Sequence, residues 1–261
     1  MAKLSELAEE FPTRGFDKYY KIIRKEGLMW ARSRVLRIYR EMKLVRRRRH
    51  KKRLPARVKE PLQVQLQSNF SYSMDFMSDR LVGGRKIRIL KIMDDGTRES
   101  LAVWCDYSIP AEKVVEVLEI VISERGIPKQ IRVDNGPEFT SKAFVNWCKK
   151  NGIEIKYIQP GKPMQNAYIE RLNRTFREDV LDAYLLANLE ETRMLSDEWQ
   201  YKYNFLLPHE SLNDQTPAMA RKSLPAAPSL KQMIEQELQN NDQQTNKQSF
   251  ISTKEIFKSL H

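Results

Sequence analysis

Asp75, Asp134 and Glu170 are the side chains whose type and placement point to chemistry. Asp75 is flanked by Met74 and Phe76 in a strand-like stretch, where burying an unpaired carboxylate would be costly. Asp134 opens an Asp-Asn-Gly tripeptide just past a short apolar run, where α/β sites sit, although the same tripeptide also suits a plain turn. Glu170 follows after 35 intervening residues, inside a helical pattern that equally admits a solvated glutamate. Around it, Asn166, Glu170, Asn173 and Arg177 fall at i, i+4, i+7 and i+11, while Ile169, Leu172, Phe176 and Val180 form a second stripe. A helix that buries the apolar stripe and gathers Asn, Glu, Asn and Arg on another face presents a polar site. Three gathered carboxylates repel one another without cations. Hard oxygen donors with no accompanying Cys or His suit Mg²⁺ or Mn²⁺. Two such ions can activate an attacking oxygen and stabilise the leaving oxygen of a phosphodiester. No covalent nucleophile is then needed, and the chain has neither a G-x-S-x-G motif nor a P-loop.

These residues need a scaffold. Segments 71–78, 86–93 and 99–106 read as three strands, the second alternating Lys86, Ile87, Arg88 and Ile89 before an Asp94-Asp95-Gly96 turn. They suggest an antiparallel meander. A helix follows over 110–124, opened by Pro110 and carrying Val114, Val117, Leu118 and Val121. Then come a short strand at 130–133, a helix at 141–150 with Phe144, Val145 and Cys148 on one side, a strand at 153–158 and a long helix over 163–186. The order β-β-β-α-β-α-β-α predicts an α/β sheet whose first half is antiparallel.

Charge is distributed unevenly. Residues 1–60 hold 20 Lys and Arg against 7 Asp and Glu, a net +13; residues 61–261 hold 26 against 27. The peak is Arg46, Arg47, Arg48, Arg49, His50, Lys51, Lys52 and Arg53, a candidate phosphate-binding run that also fits a solvated tail. Ahead of it, Phe16, Tyr19, Tyr20 and Ile23 predict one amphipathic helix, ended by Gly27. A second helix is expected from a Ser33 cap, burying Val35, Ile38, Tyr39 and Met42 and turning Arg34, Arg37 and Arg40 outward. The pair fits a helix-turn-helix-like DNA-binding module over 1–53, and equally a helical hairpin with a solvated face. Pro55 and Pro61 mark a linker over 54–67.

The whole chain of 261 residues carries net +12 at pI 9.6, which favours a polyanionic partner. Cys105, Cys148 and three histidines leave little for a disulfide framework or zinc finger. No apolar run approaches membrane-spanning length, and the N-terminus lacks a secretory core, so a reducing cytoplasm is expected, with the protein held at the nucleoid through DNA.

The stretches YSMDFMSD, KIMDDGTRE, ERGIPKQIRVDNGPEFTSKAF, PGKPMQNAYIERLNRTFRED and YNFLLPHESLNDQTPA, in this order, resemble the DDE transposases of bacterial insertion sequences. The chain is similar to the retroviral-integrase-like group in which the catalytic protein follows a shorter upstream reading frame. The resemblance covers about residues 15–220. It implies a ribonuclease-H-like mixed sheet flanked by helices as the catalytic core, over 68–221, and two Mg²⁺ (or Mn²⁺) ions held by the catalytic triad Asp75, Asp134 and Glu170. It also implies DNA cleavage followed by transfer of the freed 3′-OH into a second strand. Arg177, seven after the glutamate, matches a basic residue that contacts DNA ends in this group. Arg34, Arg37, Arg46, Arg47, Arg48, Arg49, Lys51, Lys52, Arg53, Lys162, Asn166, Arg171, Asn173, Arg174 and Arg177 are the candidate DNA contacts. Asn135, Asn166 and Asn173 are candidates to orient water or phosphate. Transposon ends and a target duplex are the expected partners, with a homo-oligomer on DNA and an upstream-frame protein fused or associated.

The pattern departs from the group at Tyr72, where Trp commonly leads, at Gly96, where an aromatic is usual, and at Arg171 and Arg174, where small or neutral residues are usual. The zinc-binding module of retroviral integrases is absent from the motifs. His209 reads as a packing residue. The segment 222–261, rich in Gln and Asn, is expected to be a polar tail with one short helix capped near Ser229 and running through Leu238. Two other functions fit the residues: a metal-dependent nuclease without strand transfer, and a non-catalytic DNA-binding regulator.

Overall fold

The structure is a computed structural model and describes residues 1–45, 67–159 and 166–224. The basic run 46–53, the linker at 54–66, Lys162 and the tail from 225, including the helix expected near Ser229, lie outside the described residues.

The core is one five-stranded sheet. β1 (Ser71–Arg80), β2 (Lys86–Asp94) and β3 (Ser100–Asp106) pair antiparallel; β4 (Gln130–Val133) and β5 (Glu154–Tyr157) add in parallel, giving the order β3-β2-β1-β4-β5. The mixed sheet is therefore the expected one. α4 (Ala111–Arg125), the short α5 (Pro137–Thr140) and α6 (Lys142–Lys150) connect its second half. Ser141 caps α6 by accepting the Phe144 N–H at 3.2 Å. Gly126, at φ +86°, ends α4.

Strand alternation divides the two faces. Tyr72, Met74, Leu90, Ile92, Ile131 and Val133 pack with Val114, Leu118, Phe144 and Cys148 beneath α4 and α6. Met77, Ile87, Ile89, Met93, Val103 and Cys105 pack on the other face against α7 (Ala167–Phe176) and α8 (Leu189–Tyr201). Both cysteines are free and buried.

The long helix differs from expectation. Among the described residues α7 runs only to Phe176, and a π-helical turn, Arg177–Leu181, replaces its continuation, with the Asp182 N–H bonding the Arg177 carbonyl at 2.8 Å. The chain then leaves the helix. Leu186 returns to the sheet, where its carbonyl accepts the Val82 N–H at 2.9 Å.

At the N-terminus, α1 (Ala2–Glu10) precedes the expected pair α2 (Phe16–Lys25) and α3 (Arg32–Glu41). Gly27, at φ +84°, closes α2. α3 begins two residues earlier than a Ser33 cap requires, with Ala31 as its N-cap. Arg32 is anchored by the Asp17 carboxylate at 2.8 Å and the Phe16 ring at 5.2 Å, which draws that residue into the helix. Leu4, Leu7, Phe16, Tyr19, Ile23, Val35 and Tyr39 share a core with Leu207, so the helical module packs on the catalytic half of the chain.

The substitution at Gly96 has a steric cause. A Cβ there would stand 2.1 Å from the Gln67 carbonyl oxygen, because the chain entering the sheet crosses the β2–β3 turn at that point.

Candidate active site

Asp75 lies in the central strand. Ser71, Ser73, Asp75 and Met77 alternate toward the α7 face, and Asp75 stands directly opposite Lys91 of β2. Its Oδ1 accepts the Phe76 N–H at 2.8 Å and its Oδ2 accepts the Asn173 side-chain amide at 2.7 Å. Burial pushes the Asp75 carboxyl up to about 6; the charges of Asp134 and Glu170 push the same way, and the two hydrogen bonds oppose them.

Asp134 immediately follows β4, which runs parallel beside β1 with Ser73 opposite Arg132. It is exposed, and its Oδ1 accepts the Gly136 N–H at 3.0 Å. The Asp-Asn-Gly tripeptide therefore forms a local turn and still places a carboxylate beside β1. Asn135 reaches the Ile158 carbonyl at 3.5 Å. Glu170 is exposed in the first turn of α7. The charges of Asp134 and Glu170 act on Asp75 through space, yet among the described residues no three acidic, His or Cys side chains are arranged to hold a metal ion. The donor set fits a hard divalent cation: all-oxygen, like-charged and, among the described residues, lacking a compensating cation within hydrogen-bond reach of Asp75.

The four residues expected on one face of the helix separate. Asn166 is the N-cap, outside helical geometry and buried, with its Oδ1 unpartnered. Glu170 faces solvent and Asn173 bridges to Asp75, leaving its own Oδ1 buried without a partner. Arg177 turns to β1, pairing with Asp79 at 3.0 Å and the Ser78 carbonyl at 3.2 Å. Arg171 and Arg174 are exposed and form no ion pair among the described residues. Arg34 and Arg37 are exposed on α3, Arg37 lying 3.6 Å from Glu41. His209 packs edge-on against Tyr203 at 4.7 Å, and burial pushes its imidazole down to about 3, the setting of a packing residue.

Sequence reasoning passed over two features of this face. Lys91 is fully buried, its Nζ 3.8 Å from the Phe176 ring centroid, 4.8 Å from that of Trp199 and 3.5 Å from the Leu172 carbonyl. The signal was a lysine inside the apolar run Ile89–Met93. Further along, buried Asp95 accepts from Ser71 at 2.8 Å and Ser73 at 2.6 Å and pairs with Arg132 at 3.0 Å. This polar belt continues the Asp75 row on the same face.

Two family models described as "Integrase core domain" match residues 65–163 and 151–217. The chain is 37% identical over 217 residues to an insertion element IS407 protein of Burkholderia multivorans, covering 83% of this chain and 78% of that protein. It is also 37% identical over 217 residues to an insertion element IS476 protein of Xanthomonas euvesicatoria, of which it spans 63%. Among solved structures, the HTLV-2 integrase catalytic core, determined with magnesium, superposes with a TM-score of 0.50 at 19% identity, covering 60% of this chain and 98% of that one. The simian T-cell lymphotropic virus intasome chain gives 0.56 at 16% identity, covering 86% and 76%. These likenesses establish the ribonuclease-H-like fold of the sheet and its helices. The chain belongs to the bacterial insertion-sequence transposases with a retroviral-integrase-like core.

Proposed function

We propose that the protein catalyses metal-dependent cleavage of DNA at insertion-sequence ends and joining of the freed 3′-OH to a target strand. Asp75, Asp134 and Glu170 are its catalytic carboxylates. The observation that carries this reading is Asp75: a half-buried carboxylate in the central strand, tied to α7 through Asn173, pushed up chiefly by burial and further by the charges of Asp134 and Glu170. Such a cluster is unfavourable by itself and gains by holding Mg²⁺ or Mn²⁺. When bound, two such ions supply activation of the attacking oxygen and stabilisation of the leaving oxygen.

The chain's own residues do the rest. Asn173 holds the Asp75 carboxylate in one orientation, and Asp79 and the Ser78 carbonyl orient Arg177 beside the same strand. Arg171 and Arg174, exposed and without an ion pair among the described residues, lie on the helix that carries Glu170 and are placed to neutralise phosphates. Arg34 and Arg37 of α3, with the basic run 46–53, bind DNA phosphates. Residues 1–53 are the DNA-binding module, 54–67 the linker, 68–221 the catalytic core and 222–261 a polar tail. The partners are transposon ends and a target duplex, with a homo-oligomer assembled on DNA and an upstream-frame protein fused or associated. No helix among the described residues is long and apolar enough to cross a membrane, and action at the nucleoid in the cytoplasm accords with a DNA substrate.

The test is incubation with the element's own terminal repeats and Mg²⁺, following a labelled 3′ end. Cleavage and transfer into a second duplex support the proposal. Cleavage without transfer identifies a nuclease, and binding without cleavage a regulator.

A further inference from the structure

Asp179 is an acid for which neither the carboxylate site nor the DNA contacts have a use. It lies in the π-helical turn that extends α7, and its side chain is 12% exposed. Three donors converge on it: the Thr13 hydroxyl, the Arg14 guanidinium and the Trp199 indole N–H, the last at 2.9 Å. Two of these come from the segment between α1 and α2, more than 160 residues away in sequence. The third comes from α8. One carboxylate thus joins the N-terminal module, α8 and the end of the helix that carries Glu170.

From there contact runs without a break to Asp75. The Trp199 ring meets Phe176 edge-on at 5.0 Å. Lys91 lies over both rings, with its Nζ 3.5 Å from the Leu172 carbonyl of α7. Lys91 is also the residue paired directly across the ladder from Asp75. Asn173, next to Leu172, closes the path on the Asp75 carboxylate at 2.7 Å. π-Helical insertions recur at functional sites, and here the insertion separates Arg177, directed to Asp79, from Asp179, directed to Arg14 and Trp199.

We propose that Asp179 is a positioning residue that, through Arg14 and Trp199, registers the catalytic helix against the N-terminal module and thereby sets Glu170 and Asn173 relative to Asp75. The inference rests on the metal-binding role proposed above for those acids. Its consequence is that the seat of the module on the core and the quality of the metal site are coupled, although Arg14 touches none of the carboxylates that hold metal.

The test uses the full chain and Mg²⁺ alone, reading the Mg²⁺ concentration that gives half of the metal-induced rise in Tm. Asp179→Asn and Arg14→Gln should each raise that concentration on the order of tenfold, as loss of an outer-shell partner does. The double variant should be no worse than either single one, because both remove the same link. Arg14→Lys should restore the wild-type value, which a loss of packing alone would not allow. Trp199→Phe, which removes one donor and keeps a ring, gives an independent variant should Asp179→Asn fail to fold. DNA affinity measured without Mg²⁺ should stay at the wild-type level in Asp179→Asn and Trp199→Phe, which lie outside the 1–53 module. Unchanged half-saturation in the folded variants, additive losses in the double variant or failure of Arg14→Lys to rescue would each overturn the inference alone. A wild-type protein with no Mg²⁺ response would overturn the metal-binding reading and this inference together.

Discussion

The two faces of the central sheet are built under different rules. Beneath α4 and α6, Tyr72, Met74, Leu90, Ile92, Ile131 and Val133 form an apolar face, and its buried acid, Asp94, stands at the end of β2 opposite Tyr72, where it accepts the Asn69 and Gly96 N–H groups. Beneath α7 and α8 the same strands present Ser71, Ser73, Asp75, Lys91, Asp95 and Arg132 among apolar neighbours. Burial of apolar area stabilises the first face, whereas buried polar groups on the second contribute little net stability and must be individually satisfied. A fold that needed only stability would not bury Lys91 over two aromatic rings with the half-buried Asp75 carboxylate directly across the ladder from it. The second face accepts that cost where the candidate site lies.

The largest effect should come from the site acids. Asp134→Asn or Glu170→Gln should lower Mg²⁺-dependent cleavage and joining by several orders of magnitude while DNA binding survives. The measurement is product formation on labelled repeat DNA alongside a binding isotherm. Near-normal cleavage by either variant would remove the distinction between the faces.

The faces should also respond oppositely to changes in adjacent residues of β2. Leu90→Ala, on the apolar side, should cost about 3 kcal/mol in urea unfolding. Lys91→Met, one residue on, should stay within about 1 kcal/mol of wild type or gain stability, because an apolar side chain replaces a buried amine whose charged form burial disfavours. A loss at Lys91 as large as at Leu90 would mean that both faces are stabilised alike.

His209 gives a pH-dependent counterpart. Its imidazole is held down to about 3 by burial, with Lys18, Arg171 and Arg14 adding repulsion. Unfolded, it titrates near 6.5. Below that value the unfolded chain binds a proton that the folded chain refuses, so this contribution is complete above 6.5 and is lost as the pH falls toward 3. At pH 5 the loss is about 2 kcal/mol. His209→Gln should flatten the stability profile between pH 6.5 and 4, and an unchanged slope would show that other groups set it.

The smallest effect concerns the cationic module. Arg34→Ala with Arg37→Ala on α3 should reduce the slope of log K against log salt by about 0.9 for each lost phosphate contact, leaving Mg²⁺ binding intact. An unchanged slope would make α3 a solvated face. Because α2 and α3 share a core with Leu207 and Arg14 pairs with Asp179, substitution is a cleaner test than deletion of the module.

The strands, and the positions of the candidate acids on them, were legible because their signals are local. Alternation through β1 and β2 marks both faces, and the Asp-Asn-Gly turn marks the end of β4. The π-helical turn was not legible, since the stripe Ile169, Leu172, Phe176 and Val180 continues through it at helical spacing. α8 had a readable start: Asn188 accepts the Glu191 N–H at 2.9 Å and Glu191 accepts the Ala187 N–H at 2.7 Å, close to a capping box. Contacts such as Arg14 to Asp179 leave no periodic trace, because their partners are 165 residues apart.

The central claim is that Asp75, Asp134 and Glu170 hold divalent cations, and a Mg²⁺ titration of Tm tests it most directly. Wild type should rise with millimolar Mg²⁺, since a ligand bound only by the folded state stabilises it by mass action. Asp75→Asn/Asp134→Asn should start at a higher Tm without metal, relieved of like-charge repulsion, and should respond weakly. Equal Mg²⁺-induced shifts in the two proteins would place the ions elsewhere and contradict the account.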